Sequence, residues 1–246
     1  MTNQINSNKK ISVITAVFNG AECIQGLIDS LHQQTDKDFE WVVTDGASTD
    51  GTLDLLRSIN SLNIKIISQE DFGIYDALNR GVKNCSGDYY LVLGADDMLH
   101  SNAIADYRLA IEDGADMVTA NVKVGDRILK PNKGPSWRFG QFQWVSAHAV
   151  GLLIKKSLHL QHGYYSSQFP IAADQLFIKR CCQSGCNVKI IDVIVGEFGQ
   201  FGVSSIDSIG MCTEWFRIQL LTEDKKWLIF FLYIHRMIKR LRNSNI

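Results

Sequence analysis

The stretch "LVLGADDML", residues 91–99, is apolar for three residues and then, past a glycine, ends in two adjacent carboxylates, Asp96 and Asp97. With Tyr89 and Tyr90 ahead of it, the segment 89–94 reads as a buried strand, because a short aromatic and aliphatic run bounded by glycine suits a sheet. Two like charges at the rim of a core repel and lose hydration, a cost that solvent, a hydrogen-bond network or a cation must offset. On spacing alone such a pair is more often a turn or helix cap than a cation site. The rest of the chain has to decide between them.

Working outward, similar runs recur with helical stretches between them. "ISVITAVF" (11–18), "FEWVVT" (39–44) and "IKIIS" (64–68) read as strands, and Ile24, Leu27, Ile28 and Leu31 fall at helical spacing. Leu55, Leu56 and Ile59 mark a second helix, and Ile74, Ala77, Leu78, Gly81 and Val82 share one face of a third. This alternation predicts an α/β fold, Rossmann-like, with a mostly parallel central sheet flanked by helices. Ser101 is placed to cap a helix ending near Gly114, and "DMVTANV" (116–122) resumes extended structure. The segment 123–144 holds two of the chain's three prolines and reads as a hairpin or long loop shaping a pocket. A helix over 172–185 and a strand over 188–195 follow.

A chain of 246 residues with net charge −1 has room for one domain of about 200 residues plus an appendage. That balance argues against nucleic acid as a partner. The six cysteines include no C-x-x-C pair and read as reduced core thiols. His159 and His162 share a helical spacing but have no further ligands near them in sequence, which argues against zinc. The polar N-terminus, "MTNQINSNKK", lacks the apolar stretch of a signal peptide, so a cytoplasmic location is expected. "WLIFFLYI" (227–234) falls short of the roughly 20 residues that span a bilayer. Followed by "HRMIKRLRN", it predicts an amphipathic basic C-terminal helix over 223–246, appended to a domain over 1–222. Such a helix suits an anionic membrane surface, or packs on its own domain with a basic outer face.

In an open parallel sheet, ligands gather beyond the carboxyl ends of the strands. Those ends deliver Thr15 and Asn19, then Asp45, then Asp96 and Asp97. No G-x-G-x-x-G follows the first strand and no P-loop occurs, which excludes the common phosphate cradles. A phosphate-bearing substrate would then need a hard cation such as Mg²⁺ or Mn²⁺ on Asp96 and Asp97.

"ISVITAVFNG", "VVTDGASTDGT", "GIYDALNRGVKNCSGDYYLVLGADDML" and "AADQLF", in this order and at these separations, resemble the family 2 glycosyltransferases of bacterial surface-polysaccharide pathways, with their GT-A fold. The likeness covers roughly residues 10–205 and is nearest to the branch carrying "DGGSTDGT" and "GIYDAMNKG" versions of the motifs. It implies transfer of a sugar from a nucleotide-diphosphate donor, typically a UDP-sugar, to an acceptor hydroxyl with inversion. Position by position, it implies that Thr15 and Asn19 line the nucleotide pocket and that Asp45 binds the base. It puts Asp76 and Arg80 near the ribose or diphosphate, Asp96 and Asp97 on a Mn²⁺ or Mg²⁺ ion, and Asp174 in the role of general base. His148 stands where the branch often has a histidine that touches diphosphate or acceptor.

Gly94 replaces the first acid of the usual D-x-D, and Ala173 replaces the Glu often found before the base. The Q-x-x-R-W of processive synthases gives way to "GQFGVSS" (199–205), which points to addition of a single sugar. The implied acceptor is a lipid-linked or growing glycan in surface polysaccharide or lipopolysaccharide synthesis, at the inner face of the cytoplasmic membrane. Local readings stay open beside these: Asp45 as a loop cap, Asp174 as a helix N-cap, His148 as a core histidine. A catalytically inactive nucleotide-sugar-binding subunit and a nucleotide-sugar pyrophosphorylase are the rival functions.

Overall fold

The strand Ile11–Val17 explains the layering. Successive side chains of a strand point to opposite faces, and here both sets are buried, Val13 and Val17 in one hydrophobic cluster and Ile14 in another. A strand apolar on both sides needs helices on both sides. The computed structural model describes residues 9–199 and 207–243. Its first half runs β1 (Ile11–Val17), α1 (Ile24–His32), β2 (Phe39–Asp45), α2 (Thr52–Arg57), β3 (Ile64–Ser68), α3 (Ile74–Asn84) and β4 (Tyr89–Val92). β5 (Met98–Leu99), α4 (Ala103–Ala110), β6 (Met117–Val124), β7 (Arg127–Leu129) and α5 (Ser136–Phe139) come next. A 3₁₀ turn (Gly140–Gln143) leads to β8 (Leu152–Lys155), α6 (Leu158–His162), α7 (Ala173–Gln183), β9 (Val188–Glu197), α8 (Ser208–Thr222) and α9 (Lys226–Asn243).

The nine strands form one sheet in the order β3-β2-β1-β4-β8-β6-β9-β5, with β7 paired to β6. β3, β2, β1 and β4 are parallel, as the alternation predicts. The second half is mixed, because β8 runs antiparallel to both β4 and β6 while β6 and β9 are parallel. α1 covers one face with Ile24, Leu27, Ile28 and Leu31, and α3 the other with Tyr75, Leu78 and Val82. A Cβ on Gly81 would lie 2.4 Å from Ile14 Cγ2, so glycine sets how closely α3 approaches β1. α7 adds Leu176, Phe177 and Ile178 to the second cluster.

Two expected caps are corrected. α4 starts at Ala103 behind Asn102, which makes no side-chain cap, and the Ser101 carbonyl accepts instead from Thr35 N–H at 2.8 Å. Asp174 is inside the first turn of α7, whose N-cap position is Ala172.

The C-terminal helix, expected from 223, starts at Lys226 and packs on α8 through the buried Ile229 and the stacked rings of Phe216 and Tyr233. The Arg236 guanidinium lies 4.0 Å from the Trp215 ring centroid. Trp227, Phe230, Phe231 and Ile238 remain exposed. Among the described residues no helix is long and apolar enough to cross a membrane.

Candidate active site

A cavity of about 320 Å³ is lined by Gly94, Asp96, Asp97, His148 and Asp174 together. Of the residues singled out in the sequence, these are the ones the fold gathers into a single cavity. Much of the remaining wall is apolar, with Ile74, Leu78, Leu129, Phe142 and Met211 among it.

The acidic turn is tightly built. Asp97 is 1% exposed, its Oδ2 accepting from Gly94 N–H at 2.6 Å and its Oδ1 from Gly199 N–H at 2.8 Å. Burial pushes its carboxyl up to about 6, and the neighbouring Asp96 pushes the same way against those two hydrogen bonds. A Cβ on Gly94 would lie 3.1 Å from Asp96 Oδ1 and 3.2 Å from Asp97 Oδ2. The space beside residue 94 is therefore taken by the oxygens of the pair itself. Gly199, delivered by the end of β9, closes the turn: a Cβ there would lie 2.0 Å from Asp96 Oδ2 and 2.7 Å from the Asp96 carbonyl oxygen. Crowded carboxylate oxygens of this kind fit a hard divalent cation, which would offset their repulsion and the burial of Asp97.

Asp174 is fixed from both sides. Its Oδ1 accepts from the Tyr75 hydroxyl at 2.5 Å and its Oδ2 from Gln141 Nε2 at 3.3 Å. The Tyr75 hydroxyl also reaches Ile171 O at 3.0 Å. Burial, and then the charge of Asp174, push the Tyr75 phenol well above its ordinary range, so it stays a donor. Gln141 Oε1 is buried with no partner among the described residues.

His148 Nδ1 lies 3.9 Å from Asp174 Oδ2. Its Nε2 begins a buried chain: Tyr165 hydroxyl at 2.8 Å, Tyr90 hydroxyl at 2.7 Å, His159 Nε2 at 2.7 Å, and from His159 Nδ1 to Gly163 O at 3.0 Å. A carbonyl only accepts, so His159 carries its proton on Nδ1, and burial holds that ring neutral by pushing its pKa down to about 4. Tyr90 then donates to His159, Tyr165 to Tyr90, and His148 Nε2–H to Tyr165. Burial also lowers the pKa of His148, so the neutral ring presents the lone pair of Nδ1 toward Asp174.

The residues expected to meet the donor lie outside the lining of this cavity. Asp45 is buried, with Oδ2 accepting from Ser48 N–H at 3.1 Å and the Ser68 hydroxyl at 2.7 Å. The loop cap is therefore real, while Oδ1 is buried without a partner among the described residues. Asn19, at φ 49°, ties the first loop to the second: its N–H donates to Ser48 Oγ at 2.8 Å and its Oδ1 accepts from Thr49 N–H at 2.9 Å. Thr15, expected to line the nucleotide pocket, has a fully buried side chain that accepts from Trp41 Nε1 at 3.0 Å. Arg80, expected near the ribose or diphosphate, is paired with Asp76 at 3.1 Å and donates to the carbonyls of Gln69 and Glu70. Asp76 lines a smaller pocket with Phe72 and Gly73.

Sequence reasoning passed over Tyr75, Gln141 and Gly199, which line the cavity, Tyr165, which holds His148 from behind, and the exposed aromatics Phe18 and Phe72 beside the rim. Tyr75 carried a signal: a buried tyrosine on a helix face needs a partner for its hydroxyl. The others depend on contacts between segments far apart in the chain.

A sheet of this order, with paired acids at the end of a central strand and a third acid across the same cavity, defines a GT-A glycosyltransferase. The crystal structure of S. aureus TarS 1-349 in complex with UDP-GlcNAc shares the fold at TM-score 0.69 and 19% identity, over 93% of this chain and 71% of that one. A mannosyltransferase from Pyrobaculum calidifontis in complex with GDP-Man and Mn²⁺ matches at TM-score 0.69 and 18% identity, over 93% and 69%. The chain belongs to glycosyl transferase family 2, which it matches over residues 12–192. A PGL/p-HBAD biosynthesis glycosyltransferase of Mycobacterium tuberculosis is 31% identical over 208 residues, 78% of this chain and 77% of that protein.

Proposed function

We propose that this glycosyltransferase moves a single sugar, with inversion, from a nucleotide-diphosphate donor of the UDP-sugar type to a hydroxyl of a lipid-linked or growing glycan. The observation that carries the reading is that Asp96, Asp97 and Asp174 line one cavity, with Asp174 clamped by Tyr75. Asp96 and Asp97 would hold Mn²⁺ or Mg²⁺, which when bound supplies Lewis-acid stabilisation of the leaving diphosphate. Asp174 Oδ2 accepts the proton of the attacking hydroxyl as its oxygen bonds to the anomeric carbon and the bond from that carbon to the diphosphate oxygen breaks. The lone pair on His148 Nδ1 then faces a protonated Asp174 and can take up that proton. Asp45 Oδ1, buried without a partner among the described residues, is suited to accept from a base N–H. Phe18, 65% exposed and 3.3 Å from where a Gly46 Cβ would stand, offers a stacking face beside it.

The apolar cavity wall favours transfer over hydrolysis by keeping water from the reacting carbon. The exposed aromatic residues of α9 beside Arg240 and Arg242 support peripheral attachment to an anionic membrane surface, where a lipid-linked acceptor resides. The segment replacing Q-x-x-R-W lies almost wholly outside the described residues. A panel of nucleotide sugars, assayed for nucleotide release with and without Mn²⁺, tests the reading. Release from one donor class, dependent on the cation, is expected; donor binding without turnover across the panel would favour an inactive binding subunit.

A further inference from the structure

The turn that ends α7 gathers side chains that the reaction leaves unused. Its sequence, "CCQSGC" (181–186), closes on a glycine and a cysteine. Gly185 is left-handed at φ 89°. Its N–H donates to Cys182 O at 3.1 Å, and Cys186 N–H donates to Cys181 O at 3.2 Å. These two bonds are those of a Schellman stop, which folds the residue after the glycine back over the last turn of the helix. The contact that usually joins two apolar side chains there joins two thiols instead. The third group comes from α6, which stacks on α7 through His159 and Phe177, ring centroids 4.2 Å apart. That packing leaves His162 Nε2 3.9 Å from Cys186 Sγ. One ligand atom each of His162, Cys181 and Cys186 lies within 4.8 Å of the other two. The expectation that His162 lacks further ligands is thereby corrected, since its partners come from a helix distant in sequence.

We propose that His162, Cys181 and Cys186 bind a borderline-soft divalent cation of the Zn²⁺ type, separately from the carboxylate pair, and so clip α6 to the C-terminal end of α7. Tetrahedral zinc, with bonds of about 2.3 Å to sulfur and about 2.0 Å to nitrogen, sets its ligand atoms about 3.5–3.8 Å apart. The imidazole and the Cys186 thiol are close to that spacing already, and side-chain rotation suffices to close the rest. Three protein ligands leave one position for water, and His162 and Cys186 are only half-buried. Both thiols release their protons to solvent on binding, so a doubly charged cation and two thiolates leave the site neutral. Sulfur and imidazole select against Mg²⁺ and Mn²⁺, just as oxygen donors suit them, so the two sites sort their ions by donor chemistry. The clip closes one end of the helix that carries Asp174 at the other.

The test uses the full chain, reduced and stripped of metal by chelation, titrated with Co²⁺ as a spectroscopic probe and then with Zn²⁺. One equivalent of Co²⁺ should give thiolate-to-cobalt charge-transfer absorption that Zn²⁺ abolishes, and Zn²⁺ should raise the melting temperature. Cys186→Ser should remove that absorption, and His162→Ala should weaken Zn²⁺ binding by roughly tenfold or more. Both positions are half-buried, so both variants should fold, and Cys23→Ser should leave the signal intact. Absence of thiolate absorption in the wild type, or its persistence in Cys186→Ser, would overturn the proposal, as would cobalt bound by oxygen alone, which reports only the carboxylate pair.

Discussion

Replacing Asp174 by Asn removes the proposed base and little else. The variant keeps shape and volume, and its amide oxygen can still accept from the Tyr75 hydroxyl, which lies 2.5 Å from Asp174 Oδ1. Its new Nδ2 would face Gln141 Nε2, a clash of two donors. Gln141 resolves the clash by rotating its amide, because its Oε1 is buried without a partner among the described residues and then gains one. Stability should therefore change little. Loss of a general base costs roughly 10²–10⁴-fold in rate, or about 3–5 kcal/mol of transition-state stabilisation. Steady-state nucleotide release with acceptor present should show kcat reduced by that factor, and calorimetry should find donor affinity unchanged. Tyr75→Phe keeps the base and frees its Oδ1, so a smaller loss of roughly tenfold is expected, in line with one hydrogen bond to a charged group. Full transfer by the Asp174→Asn enzyme, or a loss that tracks donor affinity or melting temperature, would refute the assignment.

Gly94→Ala places a methyl 3.1–3.2 Å from oxygens of Asp96 and Asp97; the half-saturating Mn²⁺ concentration for transfer should rise several-fold, while chelation abolishes transfer and Mn²⁺ or Mg²⁺ restores it. His148→Phe removes the lone pair facing Asp174, and kcat should fall with donor KM unchanged, as expected for a group acting after binding. His159 has a folded pKa of about 4 against about 6.5 unfolded. Protons thus bind the unfolded chain first, and urea titrations should show stability falling by about 3 kcal/mol between pH ~6.5 and pH ~4, with no contribution from this group above that window. Lys179 is fully buried and paired with Glu223 at 2.5 Å. Glu223→Gln strands that cation, and unfolding should register a loss of roughly 3–5 kcal/mol.

The parallel half of the fold was legible because each of its strands carries the pattern of its own burial. β8 was not: Leu152–Lys155 is four residues long, and what defines it is pairing to β4 and β6 on either side. The acids were legible as residues but not as a site. Nothing local to "AADQLF" says that Asp174 meets Tyr75, 99 residues earlier. Thr15 shows the converse limit. Its place near the carboxyl end of the first strand and the family resemblance suggested a ligand contact, yet its hydroxyl is buried and accepts from Trp41. Arg80 was placed near the donor by the resemblance of its stretch to the family's, and its guanidinium is held by backbone carbonyls that a sequence pattern does not display.

The contact between Tyr75 and Asp174 also ties the two halves of the sheet together at the proposed site. Tyr75 is in the first turn of α3, two residues after Gly73, whereas Asp174 is carried by α7 in the half that begins with β8. β4 is the strand the two halves share, parallel to β1 and antiparallel to β8, and the segment after it supplies Asp96 and Asp97. A proposed base held by Tyr75 cannot move independently of the α3 segment proposed to meet the donor. Its carboxylate is held in one orientation, with Oδ2 accepting from Gln141 and 3.9 Å from His148 Nδ1, in a cavity whose wall includes Ile74, Leu78, Phe142 and Met211. In such surroundings a charge is weakly screened and a stray water has few partners. The same walls would keep water from the proposed base and leave it to the acceptor hydroxyl.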